Sequence, residues 1–95
     1  MPLFAIHCID KPAATALRAA NRAAHLDYVR GFGPKVIVGG PLLSEAGEPI
    51  GSLLILDLAD RRAATRFAAD DPYAHAGLFA SVAVTSWRQV FPEAA

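Results

Sequence analysis

The stretch "KVIVGGPLLSEAGEPIGSLLILDL", residues 35–58, holds two apolar runs on either side of a more polar segment. "KVIVGGP" (35–41) and "GSLLILDL" (51–58) read as strands, and "LLSEAGEP" between them, with its Gly and Pro, suits a loop rather than a two-residue hairpin turn. In both strands, "VIV" and "LLIL" are apolar at consecutive positions instead of alternating. That is the pattern of strands covered on both faces.

Each flank of this pair supplies one strand and one helix. "LFAIHCI" (3–9) is rich in β-formers and ends at "DKPAA", where Asp10 and Pro12 break the pattern and can open a helix. "AATALRAANRAAHLDYVR" (13–30) contains seven alanines and neither Gly nor Pro, and stops at "GFGP", which predicts a long helix. On the other flank, "DRRAATRFAAD" (60–70) reads as a shorter helix with Asp60 as N-cap, and "SVAVTSWRQV" (81–90) as the last strand. The order βαββαβ is the split βαβ arrangement of α+β, ferredoxin-like domains. Both helices then cover one sheet face. A second copy covering the other face gives a homodimer through the sheets, a dimeric α+β barrel.

Composition narrows the function classes. A chain of 95 residues predicts a single domain, 1–95, small enough to gain from burying more surface against a partner. Nine basic and nine acidic side chains balance, and no basic stretch tracks a phosphate backbone, so no nucleic acid partner is expected. Cys8 is the only cysteine, which excludes an intrachain disulfide and a thiolate-rich zinc site; no metal or other cofactor is expected. "MPLFAIHCID" lacks a basic n-region, and no window approaches the roughly eighteen apolar residues of a membrane span. The expectation is a cytoplasmic protein without membrane association. A ferredoxin-like metal carrier needs a thiol pair after strand one, and an RNA-binding version needs aromatic residues on the central strands; this chain has neither.

Local chemistry must then carry the function. His25 lies on the first helix with Arg22 at i−3, Tyr28 at i+3 and Val29 at i+4, at the border of an apolar stripe. It reads either as a half-buried boundary histidine or as a functional group that needs a partner. Asp71 is the natural partner. Ala64, Phe67 and Asp71 repeat at i, i+3 and i+7, so the aspartate continues the inward stripe of the second helix. Pro72 disfavours helical geometry at Asp71, which predicts a helix end there and an N-cap for the turn "PYAHAG". A carboxylate at a helix C-terminus opposes the macrodipole, so some other contact must hold it.

These residues resemble the YCII-related family along essentially the whole chain. The matching elements are Arg-x-x-His-Leu (Arg22, His25, Leu26), Gly-Pro closing strand two (Gly40, Pro41), Gly51 opening strand three, Asp71 through Tyr73, and Ala76 through Leu78. The resemblance implies a ferredoxin-like subunit, a homodimer, and an active site centred on His25 and Asp71, with lyase-type elimination, including dehydrochlorination, associated with the family.

Asp71 would then orient His25 by accepting one ring N–H, which leaves the other nitrogen for proton transfer, a role worth about 10² to 10⁴ in rate. The other candidates for substrate binding are Arg22, which can attract a carboxylate; Tyr73, whose O–H can meet a substrate oxygen or whose ring can simply pack; His7, facing the dimer side of strand one; and Gly40, with Gly39, as backbone donors to an anion. His75 reads as exposed and Cys8 as a buried apolar group, while Ser44 and Ser81 lack a nucleophile-elbow motif. Two functions stand: a small lyase or isomerase acting on a small-molecule substrate, or a non-catalytic dimeric module that binds a metabolite or another protein.

Overall fold

Burial alternates along the first strand, β1 (Leu3–Asp10): Phe4, Ile6 and Cys8 are buried, whereas His7 is exposed. This period of two is what a sheet covered on one face imposes. The computed structural model describes residues 2–93. In it, β1 pairs with β3 (Pro49–Asp57) and β4 (Phe79–Trp87), and β2 (Val36–Leu43) adds to the outer side of β3. All pairings are antiparallel and the strand order is β2-β3-β1-β4. Helices α1 (Thr15–Arg30), α2 (Arg61–Asp70) and the single turn α3 (Pro72–His75) complete the βαββαβ ferredoxin-like fold read from the sequence.

Residues directly opposite each other share a sheet face, so Ile6 stands with Leu54 and Val84, and Phe4 with Leu56, on the inner face. Ala64, Phe67 and Ala68 of α2 close over these side chains, with Tyr28, Val29 and Phe32 packed against the same cluster. Tyr28 also donates its hydroxyl to the Phe67 carbonyl at 2.8 Å, tying α1 to α2. Asp60 caps α2 as the sequence predicts, accepting the Ala63 N–H at 2.8 Å.

The opposite face carries Val38, Leu53 and Trp87, which are 59%, 39% and 37% exposed, beside His7. Ile55 belongs to the same face yet is buried within the single chain. Apolar side chains therefore occupy both faces of the central strands.

Three boundaries differ from the sequence reading. The loop expected at 42–49 shrinks to 44–48, because the ladder continues through the Leu42–Gly51 and Leu43–Pro49 pairs. Pro49 is tolerated as the first residue of a strand, where no donor is required of it. The first helix starts at Thr15 instead of 13, since Ala13 adopts φ +54°, outside right-handed helical space; Asp10 ends β1 and caps nothing. The last strand runs from Phe79 to Trp87 instead of 81–90, because Trp87 pairs with Leu3, the first residue of β1.

Candidate active site

The carboxylate that looked misplaced belongs to the turn after α2. Asp71 leaves the helix in an extended conformation, φ −60° and ψ 132°, as expected for a residue before proline. Its side chain accepts the Tyr73 N–H at 2.9 Å and so caps α3, with Pro72 as the first residue of that turn. The same side chain, only 4% exposed, reaches His25 on α1: both carboxylate oxygens lie 2.9 Å from Nδ1.

His25 is 8% exposed and its Nδ1 faces a carboxylate, which can only accept when ionised. Nδ1 therefore carries the proton in the neutral ring, and Nε2 is left as the basic nitrogen. Nε2 has no hydrogen-bond partner among the described residues and is not sealed from solvent. His25 lines a cavity of about 380 Å³ between α1 and the β2–β3 edge of the sheet, a volume within the range of small-molecule sites.

Tyr73 forms another part of that wall. Its ring stacks on the imidazole at 4.1 Å between centroids, with 13° between planes. Burial pushes the phenol above its ordinary range, so the hydroxyl keeps its proton as a donor at neutral pH. The guanidinium carbon of Arg18 lies 4.7 Å from the centroid of the same ring. Arg18 is itself buried, bonded to Asp10 Oδ2 at 2.8 Å and to Ser52 Oγ at 3.0 Å. Cys8 lies under this region. Burial first, and then the charges of Asp71 and Asp10, push its thiol up to about 12, which leaves it a neutral core group.

The fold brings together His25, Asp71, Tyr73, Arg22 and Gly40. Arg22 lies exposed on the cavity wall, and Gly40 contributes to the wall beside Gly39. Of the two glycines, Gly39 is the constrained one: a Cβ there would run into the Leu54 side chain, whereas one at Gly40 would meet nothing within 4 Å. His7 is not part of this site. It sits opposite Leu53 and Ala83 on the other sheet face, because its neighbours Ile6 and Cys8 point into the core. His75 is exposed.

Sequence reading did not single out Arg18 or Ser52, and it read Asp10 as a strand end and helix opener, not as a group of the site. A signal existed for the first: Arg18, Arg22 and His25 stand at i, i+4 and i+7, one face of α1. Among the described residues, no helix is long and apolar enough to cross a membrane.

Fold and site together define a small ferredoxin-like α+β protein with a buried histidine–aspartate pair at the wall of a cavity. The YCII-related domain matches residues 2–88, and the chain belongs to the YCII-related family.

Among solved structures, it is similar to 5-chloro-2-hydroxyhydroquinone dehydrochlorinase from Burkholderia phenoliruptrix AC1100, in complex with 2,5-dihydroxybenzoquinone. The identity is 33%, the TM-score 0.90, and the match covers 97% of this chain and 99% of that one. An antibiotic biosynthesis monooxygenase is similar in fold, with 14% identity, TM-score 0.58, and 95% and 99% of the two chains covered. So is a protein from Agrobacterium tumefaciens, with 13% identity, TM-score 0.59, and 98% and 97% covered. No curated protein matches the chain.

Proposed function

We propose that this protein is a lyase-type enzyme that removes hydrogen halide from a small hydroxylated ring, with His25 as the proton-transfer group and Asp71 as the residue that orients it. The observation that carries the reading is the buried pair itself: Nδ1 is committed to Asp71 at 2.9 Å while Nε2 stays open beside a cavity of about 380 Å³. The likeness to a dehydrochlorinase over nearly the whole of both chains supports the reaction class.

The chemistry closes without an oxidant. In a chlorinated hydroxyhydroquinone, Nε2 takes a proton from a ring hydroxyl and returns it to the carbon that bears chlorine, as that hydroxyl becomes a carbonyl. Removal of the proton from the para hydroxyl then drives its electrons into the ring and expels chloride with the C–Cl pair. The sum is loss of one proton and one chloride, and the product is the hydroxyquinone. Asp71 stabilises the imidazolium that forms at each uptake and holds the ring in one tautomer. Tyr73 supplies a donor to a carbonyl oxygen as it forms.

The second part of the proposal is assembly. A homodimer that buries Val38, Leu53 and Trp87 is supported by their exposure on the sheet face opposite the helices. His7 would then lie in the interface.

The test of the function is chloride release from 5-chloro-2-hydroxyhydroquinone, followed with a chloride electrode. Catalysed release supports the enzyme. Saturable binding of the ring with no release above the uncatalysed rate would make the protein a binding module instead.

A further inference from the structure

The cavity contains a second polar centre that proton transfer by His25 does not use. Arg18 is buried and held from three directions, by Asp10 at the end of β1, by Ser52 on β3 and by the Tyr73 ring. A buried ion pair is not in itself a source of stability, because well-packed apolar side chains of similar volume do as well. Its retention in so small a core asks for another reason.

Two features supply one. Asp10 and Ser52 engage two of the five guanidinium N–H donors, which leaves three on a side chain that lines the cavity. Arg22, one turn further along α1, lines the cavity, and among the described residues it has no salt-bridge partner and no carboxylate lines the cavity. The two arginines of the wall thus offer donors only, set among Leu26, Val29 and Leu54.

We infer that the Arg18–Arg22 side of α1 is an oxyanion-binding site, and that the ligand it holds is a small, largely apolar molecule carrying a resonance-stabilised oxyanion, either the ionised oxygen of a hydroxyquinone, which the elimination generates, or a carboxylate. This rests on the proton-transfer reading of the same cavity and adds to it a site for the charge that the ring acquires. The Arg18 guanidinium carbon and the His25 ring lie 4.7 and 4.1 Å from the centroid of the same Tyr73 ring, so one small molecule can meet the anion site and the proton-transfer group together. Asp10 and Ser52 fix the guanidinium fork in advance, which lowers the ordering cost of binding.

The experiment compares two quinones of the same ring by calorimetry. 2,5-Dihydroxybenzoquinone is a vinylogous acid, ionised at neutral pH; 2,5-dimethoxybenzoquinone has the same core and no charge. The ionised ring is expected to bind at least about tenfold more tightly, in line with a charge-assisted hydrogen bond. Removal of Arg18 alone would strand Asp10, so the variant is Arg18→Met with Asp10→Asn, and its preference for the anion is expected to disappear. The exposed Arg22→Met keeps the test open should that pair fail to fold, and a several-fold loss of the preference is expected there.

Benzoate reads the source of the oxyanion. Arginine-dependent binding of benzoate means that carboxylates are accepted, and its failure restricts the site to ionised ring oxygens; both support the site. Equal binding of the two quinones by the native protein, or a preference that survives in both variants, overturns the inference. Absence of chloride release with the preference intact would overturn the proton-transfer reading alone.

Discussion

Nδ1 of His25 lies 2.9 Å from both carboxylate oxygens of Asp71, and Oδ1 of that same carboxylate accepts the Tyr73 N–H at 2.9 Å. One acid thus caps a helical turn and sets the tautomer of a histidine on another helix. Asp71→Asn separates these roles. Asparagine caps as well as aspartate, so the stability change should stay within about 1 kcal/mol. Its amide NH₂ set against Nδ1 favours the opposite tautomer, and the negative charge is gone. In ¹⁵N spectra of the neutral imidazole, Nε2 should be unprotonated in the native protein and gain proton character in the variant. Identical His25 nitrogen shifts in the two would mean that the pair is not coupled.

The sheet face makes the second prediction. Light scattering in dilute neutral buffer should give twice the chain mass, and Leu53→Glu should convert the dimer to a folded monomer. Leu53 is the better probe than Ile55, which is buried within one chain, because a charge at a side chain already 39% exposed spares the subunit while an unpaired charge sealed in the interface costs several kcal/mol. A native protein that runs as a monomer at micromolar concentration would contradict the sheet-to-sheet arrangement.

How far the sequence carries can be seen in Asp71 and Arg18. Asp71 was legible because two local rules agreed: the i, i+3, i+7 stripe aimed it inward, and Pro72 ended the helix at that residue. Its distance to His25 follows from how α1 and α3 dock, which no local pattern encodes. Arg18 was missed although it shares one face of α1 with Arg22 and His25, because an arginine defaults to solvent. Its burial depends on Asp10 and Ser52, which arrive from two strands only once the sheet is formed. The ends of β2 and β3 were missed for a similar reason. Pairing across the ladder carries Pro49 into a strand against its own propensity. At Gly51, the close approach of the Cys8 carbonyl leaves no room for a Cβ, so the glycine that weakens the strand locally is the one that lets β3 and β1 meet.

The two adjacent glycines of β2 should respond differently to alanine. Gly39→Ala drives a methyl into Leu54 on the cavity wall and should cost about 1–3 kcal/mol. Gly40→Ala meets open space and should stay within about 0.5 kcal/mol of the native protein. Urea unfolding measures both, and equal effects would contradict the strand orientation described.

Alkaline stability tests the burial of two acids. The Cys8 thiol is pushed by burial from 9.0 to about 12, and the Tyr28 phenol, again chiefly by burial, from 10.0 to about 12. Above pH about 9 the unfolded chain releases protons that the native chain retains, so stability falls as pH rises towards about 12; below pH about 9 these groups cause no change. Cys8→Ala should flatten the early part of that fall in urea midpoints. An unchanged slope in this variant would show that the thiol is not held as described.

The most direct test of the central claim is chloride release from 5-chloro-2-hydroxyhydroquinone by the native protein, His25→Ala, Asp71→Asn and the double variant, each first verified as folded by circular dichroism. A proton-transfer pair acts as a unit, so each single variant should lose about 10² to 10⁴ in kcat/KM, and the double variant should be no worse than the poorer single one. Undiminished release by His25→Ala, or losses in the two single variants that simply multiply in the double, would contradict it.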